Sequence, residues 1–195
     1  MEAMDFFRLS GGRWRSQRTT HHLPFRRAEL GELEIQTTAL EADDERVAAV
    51  CKMHDIDATL AIGGISVNWH GSMDWDKEGE NHEGATVMVL VPDADDPKQG
   101  RLLREQGYAE IVPVVGRYEV DEQDGLVLIT EYETMSSVER FWFPNPNLRL
   151  RSSTVKRFGG FNTASFCAET RLVDDAPPSS DEQPSISEFY SVMGW

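Results

Sequence analysis

Between Asn145 and Arg171 the sequence NPNLRLRSSTVKRFGGFNTASFCAETR sets arginines, hydroxyls, a thiol and a carboxylate at alternate positions of two strand-length runs. Successive side chains of a strand point to opposite faces. One face of the first run therefore carries Arg149, Arg151, Ser153, Val155 and Arg157, and the other Leu148, Leu150, Ser152, Thr154 and Lys156. In the second run Thr163, Ser165, Cys167, Glu169 and Arg171 share a face, opposed to Asn162, Ala164, Phe166 and Ala168. Phe158-Gly159-Gly160 between them supplies the glycines of a tight turn, so a hairpin is predicted. Guanidinium forks take carboxylates through paired hydrogen bonds and hydroxyls add neutral donors, so this face suits a small anionic ligand. Alternation alone is equally compatible with a wetted outer face and with the lining of a polar cavity.

The distribution of charge is a second observation. The 195 residues carry a net charge of −15 and are 39% hydrophobic, enough for one core and one domain. Such acidity argues against nucleic acid or an anionic membrane surface as the main partner. Yet Arg8, Arg13, Arg15, Arg18, Arg26 and Arg27 crowd the first thirty residues, and the hairpin adds five basic side chains against Glu169 alone. First and last strands lying side by side would make a cationic region within an acidic shell.

Other residues invite chemical readings of different strength. Trp69 and Trp75 fall on one face of an alternating run with Ile65, Val67 and Met73. They are either barrel core or a stacking platform for a flat conjugated ligand. His21 and His22 are adjacent, so in a strand their rings diverge and no metal is expected there. Cys51 and Cys167 have no C-x-x-C spacing and are predicted to be reduced packing residues. No G-x-S-x-G, P-loop or dinucleotide fingerprint occurs.

The elements that must position these groups are mostly strands. Residues 3–9 form a short amphipathic turn or helix before Ser10-Gly11-Gly12. Gly12 to His22 alternates, with Trp14, Ser16, Arg18, Thr20 and His22 on one face, and its Gly-Arg-Trp has the G-x-W form that opens lipocalin-type barrels. Glu32 to Ala39 follows. From Glu41 to His54, Val47, Val50, Cys51 and His54 make an apolar stripe at helical spacing, with Asp43 or Asp44 as cap. Further strands are predicted at 62–73, 84–91, 108–120, 126–134 and 138–143, with a helical turn at 101–106. About nine strands and one covering helix predict an all-β, up-and-down antiparallel barrel over residues 1–173. Residues 174–195, rich in Pro, Ser and acids at their start, are expected to be a flexible tail. The N-terminus lacks the apolar core of a signal peptide and no apolar run is long enough to span a bilayer, so a soluble intracellular protein is expected.

Three blocks, MDFFRLSGGRWRSQRTTHHL, the Trp69–Trp75 segment and ERFWFPNPNLRLRSSTVKRFGGFNTASFCAETR, resemble the S-type phycobiliprotein lyases, the CpcS/CpeS family of cyanobacteria and related plastids, from about Met4 to Arg171. The resemblance implies a lipocalin-like (calycin) barrel that binds a free phycobilin, such as phycocyanobilin or phycoerythrobilin, and attaches it by a thioether to a cysteine of an apo-phycobiliprotein α or β subunit. It implies that Trp69 and Trp75 stack on the tetrapyrrole and that Arg149 and Arg151, with Ser153, hold its propionates. Arg18 and His22 complete the cationic side, and Glu169 is the carboxylate that holds or protonates the pyrrole nitrogens. No cofactor is implied beyond the bilin substrate. The setting is the cytoplasm or a plastid stroma, and both a homodimer and a heterodimer with a related lyase subunit fit. A barrel carrier of an amphipathic anion, or a supporting subunit of a two-chain lyase, is the rival reading.

Overall fold

Short turns between strand-forming runs favour antiparallel neighbours, and the computed structural model, which describes residues 1–77, 82–105, 114–157 and 160–172, has that topology throughout. Helix α1 (Ala3–Ser10) precedes β1 (Gly12–His22) and β2 (Arg27–Glu41), and helix α2 (Glu45–Met53) follows. Then come β3 (Gly63–Met73), β4 (Gly84–Asp93), β5 (Asp96–Arg104), β6 (Val114–Val120) and β7 (Leu126–Glu131). Strands β8 (Met135–Asn145), β9 (Leu148–Arg157) and β10 (Gly160–Leu172) complete the set. Each strand pairs with the next, and β10 returns to β1, with Arg13 opposite Leu172 and His22 opposite Thr163. The result is the predicted all-β up-and-down barrel, closed, with ten strands among the described residues where about nine were expected.

One end of the lumen is plugged. Trp14 is fully buried, and its indole N–H donates to the Ser10 carbonyl at 2.8 Å. Helix α1 lays Ala3, Met4, Phe6 and Phe7 against inward-facing Leu90, Leu102, Tyr118 and Leu126. The ring of Phe143 lies 4.9 Å from that of Phe6 and 5.9 Å from that of Trp14. Each fully buried Phe, Leu or Met of this plug contributes about 1.5–3 kcal/mol on burial. Helix α1 falls where a short amphipathic turn or helix was expected, and it plugs the barrel, leaving α2 as the one covering helix.

The covering helix is α2. The Asp44 carboxylate caps it by accepting from the Arg46 amide at 2.9 Å. Its Val47, Val50 and Cys51 pack outside the barrel on Val89, Val91 and Leu103. Burial, with Asp57 nearby, pushes the Cys51 thiol up. Strands β4 and β5 are thus buried on both faces, with Leu102 inside the lumen and Leu103 beneath α2. That double burial corrects the helical turn predicted at 101–106. Residues 101–104 are strand, and two adjacent apolar residues imitate a helix when both faces of a sheet are covered. The predicted turn at 158–159, residues 106–113 and the tail lie outside the described residues. Among the described residues no helix is long and apolar enough to cross a membrane.

Candidate functional site

The site begins with a bulge. Arg157 faces Gly160 and Lys156 faces Phe161, but Val155 faces Thr163, leaving Asn162 as an extra residue of β10. A shift of one residue exchanges the faces of a strand. Without it Arg149 would stand opposite Ala168, and the two polar faces of the hairpin would point apart. With it Arg149 stands opposite Glu169, Arg151 opposite Cys167 and Ser153 opposite Ser165. Strand β1 extends the same layers, placing Ser16 beside Glu169, Arg18 beside Cys167 and Thr20 beside Ser165.

These residues face inward, which decides between the two readings of the hairpin: it lines the lumen. Glu169 is 0% and Arg149 5% exposed. Arg149 donates through Nε to Glu169 Oε2 at 2.5 Å, and the Ser16 hydroxyl donates to Oε1 at 3.4 Å. Arg151 Nη2 lies 3.4 Å from Oε1 and donates to Cys167 Sγ at 3.3 Å. Burial works against the charge on Glu169, but Arg149 and Arg151 outweigh it and hold the carboxyl below its usual value. Burial likewise works against the charge on Arg151, and Glu169, Cys167 and Glu139 more than offset that, binding its proton more firmly.

Aromatic rings form its floor. The Arg149 guanidinium lies 4.9 Å and that of Arg171 4.2 Å from the centre of the Trp14 ring. Arg151 lies 5.4 Å from that of Phe141. Such cation–π contacts offset part of the cost of holding charge away from water.

Towards the open end the lining becomes looser. Ser153 and Ser165 are half-buried, and Arg18 Nε donates to the Thr20 hydroxyl at 3.0 Å. His22 Nε2 lies 3.0 Å from Glu29 Oε2, and its ring stacks on Trp75 at 4.8 Å and 27°. Arg27 approaches the same indole at 4.9 Å. Trp75 stands two residues beyond the end of β3 and is 43% exposed, so it belongs to the rim rather than to the strand that carries Trp69. Trp69 is half-buried in the wall, and Gly84 opposite it has no Cβ because one would collide with the indole. His21 points outward and is exposed, apart from His22. Among the described residues no group of three His, Cys, Asp or Glu could hold a metal ion.

Glu29, Arg104 and Glu139 escaped the sequence reading, and Ser16 was placed on its face without a role. Ser16 shares the β1 face of Arg18 and His22, and Glu139 sits two residues before Phe141, so alternation was the available signal for both. A cleft of about 480 Å³ at the closed end, lined by Gly12, Gln36, Thr38 and Arg171 among others, offers less chemistry. Arg171 already donates to the carbonyls of Pro146, Gly11 and Leu9. The lumen, by contrast, combines aromatic faces, cations, hydroxyls and the buried carboxylates of Glu29 and Glu169.

Residues 2–172 match the family model described as CpeS-like protein. The chain is 61% identical over 196 residues to "Chromophore lyase CpcS/CpeS 2" of Trichodesmium erythraeum, covering 100% of both. It is 58% identical over 194 residues to the "Phycocyanobilin lyase subunit CpcS" of a Picosynechococcus species, covering 100% of this chain and 98% of that one. Among solved structures, the S-type phycobiliprotein lyase CPES from Guillardia theta superposes with a TM-score of 0.78 at 35% identity, covering 90% of this chain and 95% of that one.

Proposed function

The chain belongs to the CpeS-like family, and on that premise we propose that it is a chromophore lyase, binding a free phycobilin and attaching it by a thioether to a cysteine of an apo-phycobiliprotein α or β subunit. The observation that carries the reading is the Glu169 carboxylate, wholly buried between Arg149 and Arg151 on the inner face of a closed barrel. A bilin is flat and conjugated, carries two propionates, and has pyrrole nitrogens that can take a proton. Trp69 and Trp75 stack on it. Arg149 and Arg151, with Ser153, draw in the propionates, and Arg18 and His22 supply the remaining polar side. Glu169 accepts from the ring N–H groups, and a fixed carboxylate there favours the protonated tetrapyrrole.

Protonation makes the conjugated system a better electrophile. The thiolate of the target cysteine adds to the ethylidene carbon of ring A, forming the C–S bond, while a proton is taken up by the conjugated system. The lyase contributes orientation and exclusion of water. Cys167 is 1% exposed and hydrogen-bonded to Arg151, and Cys51 lies outside the lumen beneath α2, so neither is assigned the nucleophile's role. No cofactor is needed beyond the substrate, and the cytoplasm or plastid stroma is the compartment in which the partner subunits would be met.

The test is to mix the purified protein with phycocyanobilin and, separately, phycoerythrobilin, record absorption, and then add an apo-phycobiliprotein subunit. The expected outcome is a red-shifted, sharpened band followed by covalent bilin on the subunit, above a lyase-free control. Binding without transfer would favour a carrier or one half of a two-chain lyase. A second reading has support of its own, because one relative is named a lyase subunit: the chain acts as one half of a heterodimer. In that case transfer is expected only when a related chain is added.

A further inference from the structure

The residues assigned to the bilin so far lie on β1, β3, β9 and β10, or at the rim. One buried cation comes from the opposite wall. Arg104, the last residue of β5, shares the inward face of Leu102 and is 8% exposed. Its Nη2 approaches Glu139 Oε2 at only 3.5 Å, and its Nε has no hydrogen-bond partner among the described residues. Glu139 divides itself between two walls, since its other oxygen lies 3.5 Å from Arg151 Nη1. Both contacts are long beside the about 2.7–2.9 Å of a charge-assisted hydrogen bond. Thr130 on β7 is 1% exposed, and its hydroxyl is likewise without a partner among the described residues.

A buried guanidinium N–H left without an acceptor is costly, and the cost disappears if a ligand supplies one. Charge points the same way. Arg18, Arg104, Arg149, Arg151, Arg157 and Arg171 lie on the inward faces against Glu29, Glu139 and Glu169, so guanidinium charges outnumber carboxylate charges there. The missing acceptor is therefore anionic.

We propose that Arg104 is the far-wall anchor for one propionate carboxylate of the bilin. Its Nε and Nη2 take the two oxygens in a fork while Glu139 relaxes onto Arg151. The proposal rests on the bilin-lyase reading and goes beyond it by dividing the two propionates between facing walls. The tetrapyrrole then spans the lumen instead of lying along the hairpin. A fork distinguishes a carboxylate from a lactam carbonyl, because only the carboxylate satisfies both nitrogens and brings the charge the lumen lacks.

The experiment titrates wild type, Arg104→Gln and Arg104→Lys with phycocyanobilin and with its dimethyl ester, in which both propionates are blocked, following absorption. Arg104→Gln is expected to weaken binding of the free acid by about 10–100-fold and binding of the ester by less than about twofold. Arg104→Lys, which keeps the charge but not the fork, is expected to fall between. Equal losses for acid and ester, or no loss for the acid, would overturn the proposal. Should Arg104→Gln fail to fold, Arg104→Lys with wild-type affinity for the acid would overturn it equally. If wild type binds neither compound, the bilin reading itself has failed, and the anchor with it.

Discussion

The two ends of the lumen are made by the same strands and differ in what those strands present. At the closed end Phe6, Trp14, Leu102, Tyr118 and Leu126 meet side chain to side chain, with α1 as the plug. Towards the open end the next turns of the same strands present Ser16, Arg18, Arg104, Glu139, Arg151 and Glu169, joined by ion pairs and hydroxyls. The first region lowers free energy by burying apolar surface. The second raises it by burying charge, and it is tolerated because the first is well packed. Stability and binding chemistry are thus divided along one axis, and substitutions at either end can show how cleanly.

The largest effect is expected from Phe6→Ala. Truncating an aromatic side chain that is 2% exposed within the plug should cost about 3–5 kcal/mol in denaturant unfolding, with the bilin-bound spectrum of the folded protein unchanged. A changed spectrum would show that the plug also shapes the pocket.

Glu169→Gln comes next. It leaves Arg149 and Arg151 without their shared counter-ion, expected to cost about 3 kcal/mol at neutral pH, and it should shift the absorption of bound bilin. The folded-state carboxyl is held below its ordinary value of 4.5, so its contribution is fully present above that value and is lost as pH falls through the depressed one. Wild type should therefore lose stability more steeply than Glu169→Gln on acidification below about 4.5. Parallel curves would mean that the ion network is not coupled to folding.

The smallest effect on stability is expected at the rim. Trp75→Ala should change the unfolding free energy by less than about 0.5 kcal/mol, since the indole is 43% exposed, while weakening bilin binding several-fold. A large loss of stability with unaltered binding would invert the comparison.

How legible this was varied with physical cause. Helix α2 could be read because Val47, Val50 and Cys51 bury one stripe of a helix whose other face is wet. The alternation of β1 and β9 was equally plain, because each has one side in the lumen. Strand β5 could not be read, since Leu102 and Leu103 are buried on opposite sides of the sheet and break the period of two. The pairing of Arg149 with Glu169 was hidden for another reason. Both faces of the hairpin were known from the sequence, but which face met which depended on the single extra residue Asn162, and a bulge leaves little local signature. Arg104 was invisible because its role depends on what stands across the lumen, a distance along the chain that periodicity does not measure.

The seam between β1 and β10 carries a consequence for how the molecule is made. Ser16 and Glu169 lie 153 residues apart in sequence and meet only across that seam. Contacts so remote are paid for in loop closure before they return anything, which places this barrel among slow folders. During synthesis α1 and the first strands emerge long before their final partner, and the growing sheet keeps two open edges that can pair wrongly until β10 arrives. The charged lumen comes into being in that last step, so a ligand held there favours the sealed state by mass action and retards its reopening.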